Sequence, residues 1–149
     1  MTKVKQEPKY TILNDNALVV WHAEGVHLTI REWINWQSIL SQYPDKVLSY
    51  NHLVDFRDAT WAITREEIIG ALGFSERLFE DEYPDPSSKK QKSAIVCNSS
   101  IAIEVWEEYI KLTNVPSNPF HIKVFQDFPE AISWLGHSGE DFEVCLSII

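Results

Sequence analysis

The sequence predicts an α/β domain with a mainly parallel sheet, an antiparallel N-terminal hairpin and the element order ββαβαβαβα. Three observations carry this expectation. Two short β-rich runs, Tyr10–Leu13 and Ala17–Trp21, flank Asn14, Asp15 and Asn16, residue types that accept left-handed turn geometry, so the pair reads as a hairpin. Three later apolar runs alternate with segments of helical length, and parallel neighbours need crossovers of that length. The helical segments open on residues suited to capping.

Taken in order, residues 1–9 are polar and contain Pro8, which suits a loose N-terminal arm. After the hairpin, Thr29 and Glu32 have capping-box spacing and predict a helix from Ile30 to Gln42. Ile30, Trp33, Ile34 and Leu40 share one broad face of it, and Tyr43-Pro44-Asp45 ends it. His52–Phe56 is mostly apolar, as expected of an inner strand covered on both faces. Thr64 and Glu67 repeat the capping box and open a second helix to about Phe79. Ile68, Leu72 and Phe79 form its buried stripe; Glu66, Glu76 and Arg77 face water.

Residues 80–92 form the longest polar loop, with Pro84, Pro86 and three lysines. Ser93–Cys97 is the next strand and Asn98-Ser99-Ser100 its exit turn. Ser100 caps a helix over 101–113 whose core face is Ala102, Val105, Trp106 and Tyr109. Phe120–Phe125 is the last strand, Asp127 opens the last helix and Gly136 closes it. The domain therefore spans 10–136. The tail 137–149 alternates apolar residues and suits either an added edge strand or docking on a neighbour.

At 149 residues the chain is one domain, and a domain of this size buries roughly 68 to 70% of its unfolded surface without help from metals or disulfides. Thirteen basic against 22 acidic residues give a net charge of −9 and an isoelectric point near 4.9, which disfavours nucleic acid and anionic lipid as partners. Cys97 and Cys145 lie far apart and do not suggest a structural disulfide. No apolar run approaches the roughly 20 residues that span a bilayer, and the first residues lack the apolar core of a signal peptide. The expected setting is the cytoplasm.

The block from Phe120 to Gly136, read with His52–Trp61, resembles small bacterial proteins of the SpoIIAA-like fold, the STAS (sulfate transporter and anti-sigma factor antagonist) group. The likeness covers residues 10–136 and rests on element order and on Phe125, Asp127, Ala131, Trp134 and Leu135 in the closing strand and helix. It implies a regulator working by protein contact, not an enzyme. In STAS antagonists a serine in an Asp-Ser-Ser-Gly-like turn before the second main helix accepts phosphate. The matching stretch, Ala62–Glu66, has neither the serine pair nor the glycine, and Thr64 reads as a helix cap. The fold group also shades into lipid carriers, which keeps open a small, lipid-like ligand at the strand ends.

Open α/β sheets collect ligands beyond the carboxyl ends of their strands. The polar residues there are Asp55, Arg57, Asp58 and Thr60, then Asn98, Ser99 and Ser100, then Gln126 and Asp127. Asp55 is the sharpest candidate, since a carboxylate inside an apolar strand must be neutralised, paired or hydrogen-bonded. It reads either as a general base or as a turn-fixing acceptor. Arg57 and Asp58 read as a solvated turn pair, or Arg57 as an anion ligand. Cys97, at a helix mouth, reads as core or as a thiol activated by the helix dipole. His22 and His27 flank the turn after the second strand and read either as ordinary loop and strand-end residues or as partners of Asp58 across the crevice. The histidines lack metal-ligand spacing, so neither a metal nor a cofactor is expected. Trp36, Trp61, Arg65 and Glu66 are the candidate contact residues for a protein partner or homodimer.

Overall fold

A computed structural model of the chain describes residues 9–13, 18–22, 27–34, 50–71, 91–113 and 120–137. The strands are β1 (Lys9–Leu13), β2 (Leu18–His22), β3 (His27–Leu28), β4 (Asn51–Asp55), β5 (Thr60–Trp61), β6 (Gln91–Val96) and β7 (Phe120–Phe125). Helical residues 30–34 are α1 and 65–71 are α2, followed by α3 (Ser100–Leu112) and α4 (Phe128–Trp134). The main sheet has the order β1-β2-β4-β6-β7. β1 pairs antiparallel with β2, and β2, β4, β6 and β7 are mutually parallel.

The expected hairpin and the alternation of strands and helices are therefore present, with Lys9 belonging to β1 instead of the arm. A second, two-stranded parallel ribbon of β3 and β5 was not expected. It is held further by the Ala62 amide donating to the Leu28 carbonyl at 2.9 Å. Trp36, Leu40, Leu72, Phe79 and the 137–149 tail beyond His137 lie outside the described residues.

Side chains alternate across the sheet and create two cores. Val19, Trp21, Val54, Ile95 and Cys97 meet Trp33 of α1, Ile68 and Ala71 of α2, and the buried face of α3. Leu18, Val20, Leu53, Ala94, Val96 and Phe125 meet Phe128, Ala131, Ile132 and Leu135 around α4. Among the described residues, α1–α3 thus cover one face of the sheet and α4 the other.

The helix starts follow from local chemistry. Thr64 and Glu67 form the expected reciprocal box, the Thr64 amide donating to Glu67 Oε1 at 3.0 Å and the Glu67 amide to Thr64 Oγ1 at 3.2 Å. At α1 the Thr29 amide donates to Glu32 Oε2 at 3.1 Å and the Thr29 hydroxyl to the same oxygen. The cap of α3 is Ser99, not the expected Ser100: its extended backbone turns the chain and its side chain accepts from the Ala102 amide, while Ser100 is already helical. Asp127 precedes α4 without a side-chain capping bond, Pro129 stands in the first turn, and Gly136 follows the helix at φ 86°, a conformation glycine adopts without a Cβ clash.

The α3 face contains Ala102, Val105, Trp106 and Tyr109, as the 3.6-residue period predicts. Trp106 is the hub of this core. It stacks near Phe56 at 6.0 Å and lies edge-on to Tyr109 at 5.7 Å and to Trp33 at 6.4 Å. Trp21 and Trp33 are buried as well, and Trp21 Nε1 donates to His52 Nδ1 at 3.1 Å, tying β2 to β4.

Trp106→Ala is expected to lower unfolding free energy by about 3–5 kcal/mol, because the bulk of the ring is lost and the surrounding aromatics cannot collapse fully into the space. Urea unfolding followed by circular dichroism measures it, and a loss below about 1 kcal/mol would contradict the hub assignment.

Candidate functional site

The parallel register places His22, Asp55, Val96 and Phe125 in one row across the carboxyl edge of the sheet. Alternation points this row toward α4, the side on which Val20, Leu53 and Ala94 lie. Asp55 is fully buried there. Its Oδ1 accepts from the Arg57 amide at 3.1 Å and from Arg57 Nε at 2.9 Å, and its Oδ2 accepts from Arg57 Nη2 at 2.9 Å. The guanidinium sits 4.7 Å above the ring centre of Phe128, the first residue of α4.

Arg57 therefore does not form the expected turn pair with Asp58. The chain turns after β4, the Ala59 amide donating to the Phe56 carbonyl at 3.2 Å, so Arg57 folds back over Asp55, and the fork of its guanidinium matches the carboxylate in bidentate fashion. Hydrogen bonding to Asp55 holds the guanidinium above its already high range against the lowering effect of partial burial; the charges of Asp55 and Asp58 add to the rise. Asp58 is exposed and lies 3.6 Å from His22 Nε2, the meeting across the crevice that the sequence suggested.

With three donors on its two oxygens, Asp55 is engaged as a structural acceptor, the arrangement the turn-fixing reading describes. Cys97 follows β6, and its amide donates to the Phe125 carbonyl at 3.0 Å, prolonging the ladder. The thiol is buried, and burial pushes its pKa up to about 11 from 9.0, opposite to the lowering a helix mouth would give. At neutral pH it is a thiol packed in the α1–α3 core.

Thr60 lies exposed on the β3–β5 ribbon, whose Trp61 packs with Phe56 and Trp106 on the α1–α3 side. Asn98 and Ser100 are exposed, and Ser99 is occupied as the α3 cap. Asp55 and Arg57 thus lie on the α4 side of the sheet, whereas the ribbon that carries Thr60 packs on the α1–α3 side. Among the described residues no three His, Cys, Asp or Glu side chains cluster to hold a metal ion, and no helix is long and apolar enough to cross a membrane.

Two of the four candidate contact residues share a different surface. Arg65 and Glu66 are exposed on α2, and Arg65 Nη2 lies 3.1 Å from Glu108 Oε1 on α3. One turn further along each helix stand Ile69 and Leu112, 44% and 37% exposed, and at the start of α3 stands Ile101 at 63%. Trp61 is half-buried, its indole N–H donating to the Ile63 carbonyl at 3.0 Å, so it supports the core beneath this surface instead of extending it.

Ile69, Ile101 and Leu112 were not foreseen. The signal was present in the doublets Ile68-Ile69 and Ile101-Ala102: adjacent helical residues point about 100° apart, so both members of an apolar doublet rarely reach the same core. Ile68 and Ala102 take the core, which leaves their neighbours outside.

Comparison with known proteins gives no significant match to a family model, a curated protein or a solved structure.

Arg57→Met is expected to destabilise the fold by about 3 kcal/mol, since it strands the Asp55 carboxylate without its cation. Asp55→Asn should cost less, because the half-open guanidinium can turn toward water; equal costs in urea unfolding would contradict this asymmetry. The Cys97 shift has its own sign. A thiol with a raised folded pKa favours folding below the unfolded value of 9.0, and that contribution is lost as pH rises from 9.0 to about 11. The fall in stability over this window should be shallower in Cys97→Ala than in the parent, and iodoacetamide labelling of native Cys97 at neutral pH should be slow.

Proposed function

We propose that this chain is a non-enzymatic cytoplasmic regulatory module of STAS-like fold that works by protein contact through the outer faces of α2 and α3. One observation carries the reading: the three large apolar side chains found exposed among the described residues, Ile69, Ile101 and Leu112, all lie on these two helices. Scattered exposed apolar residues are ordinary, but their confinement to one helix pair among the described residues supports an interaction surface there.

The internal pairing of Asp55 with Arg57 supports the same reading. Their polar groups are directed at each other on the α4 side, and the ribbon that carries Thr60 packs on the α1–α3 side, which weighs against a small-ligand crevice at the strand ends. The buried, protonated Cys97 weighs against covalent catalysis. The Thr64 hydroxyl, the one in the stretch that matches the STAS phosphoacceptor turn, is tied into its capping box. Regulation would then rest on contact itself and not on phosphorylation of this turn.

The test is native mass spectrometry of the full chain purified from its own cells, beside a double variant Ile69→Ser/Ile101→Ser. The expected outcome is a stoichiometric protein partner on the parent and its loss from the variant, whose stability should stay within about 0.5 kcal/mol of the parent because both positions are exposed. A bound small molecule released on denaturation, with no protein partner, would overturn the proposal in favour of ligand binding.

A further inference from the structure

The charges around the α2–α3 face specify what it meets. Along α3, Ile101, Glu104, Glu108 and Leu112 follow a three- and four-residue spacing and form one stripe beside the buried face. Glu104 and Glu107 are exposed on α3 and Glu66 is exposed on α2. Arg65 is paired with Glu108, and among the described residues of α2 and α3 the remaining cation is Lys111, in the last turn of α3. The apolar side chains are therefore framed by negative charge on a chain of net charge −9.

We propose, resting on the interaction reading above, that this face docks a cationic amphipathic helix of another protein. Such a helix offers an apolar stripe to Ile69, Ile101 and Leu112 and flanking Lys or Arg side chains to Glu66 and Glu104. The stripe from Ile101 to Leu112 runs roughly 16 Å at the helical rise, so about three turns of a partner helix cover it. A second copy of this chain is a poor occupant. A two-fold contact sets a patch against itself and would oppose carboxylates to carboxylates. Anionic lipid and nucleic acid meet the same repulsion.

The experiment is a nitrogen-15 NMR titration of the full chain with three synthetic peptides: a Leu/Lys amphipathic helix, a Leu/Glu helix with the same apolar stripe, and a scrambled Leu/Lys peptide. The Leu/Lys helix is expected to shift amides of residues 65–70 and 100–112, and to bind about tenfold more weakly to Ile69→Ser/Ile101→Ser and at raised salt. Both exposed substitutions leave the fold intact, which circular dichroism checks.

Equal binding by the Leu/Glu helix would overturn the charge argument while leaving an apolar interaction face in place. Equal binding by the scrambled peptide would reduce the effect to unspecific attraction and also overturn it. If none of the peptides perturbs α2 and α3, and the native chain carries no protein partner either, the interaction reading falls with the proposal.

Discussion

Because successive side chains of a strand point to opposite faces, the central strands β2, β4 and β6 each serve two cores at once, and the rest of the molecule is arranged around that division. Trp21 and Val54 belong to the α1–α3 core while Val20 and Leu53 belong to the α4 core. A slip of one residue would exchange every pair. The row His22, Asp55, Val96 and Phe125 inherits its direction from this alternation, and so the one buried carboxylate of β4 faces α4 and is closed over by Arg57 and Phe128. The same rule sends Cys97 to the other core, where burial keeps its thiol protonated. Pairing, packing and protonation at the strand ends are consequences of one geometric period.

The elements with strong periods were legible in the residues themselves. Turn residues 14–16 announced the hairpin, two Thr-x-x-Glu spacings marked the starts of α1 and α2, and Ala102, Val105, Trp106 and Tyr109 identified the core face of α3. The ribbon of β3 and β5 was not legible, because two residues show no alternation and its pairing joins segments more than thirty residues apart. The shift of the α3 cap from Ser100 to Ser99 has a similar cause. Either serine supplies an oxygen, and only the backbone angles decide which one stays outside the helix.

The candidate site was half legible. Asp55 stood out as an acid in an apolar strand, and its need for compensation was plain from electrostatics alone. Its partner was written two residues away, yet Arg57 next to Asp58 invited the sequential pair over the spatial one. What chose between them is desolvation. Asp55 is buried and must be satisfied, whereas Asp58 is exposed and water satisfies it, so the fork of Arg57 is worth more on the residue that cannot reach solvent. Thr60 was grouped with Asp55 by sequence distance from a strand end, yet it sits on the β3–β5 ribbon, which packs on the α1–α3 side. Closeness to a strand end does not say on which side of a sheet the chain emerges.

The exposed face of α2 and α3 depends on the same architecture at one remove. Both helices rest on the α1–α3 core through Ile68, Ala71, Val105 and Trp106, so their outer residues are held at fixed spacing without taking part in it. The capping box fixes the start of α2, and the Arg65–Glu108 pair spans the gap to α3. An exposed ion pair of this kind adds little to stability. Its position matters more than its energy: it lies one turn from both Ile69 and Leu112 and joins the two helices whose apolar side chains a partner would cover. On the proposal that this face meets a partner helix, a surface already held in place would lose little freedom on association, so even a few apolar contacts beside complementary charge would leave a net gain.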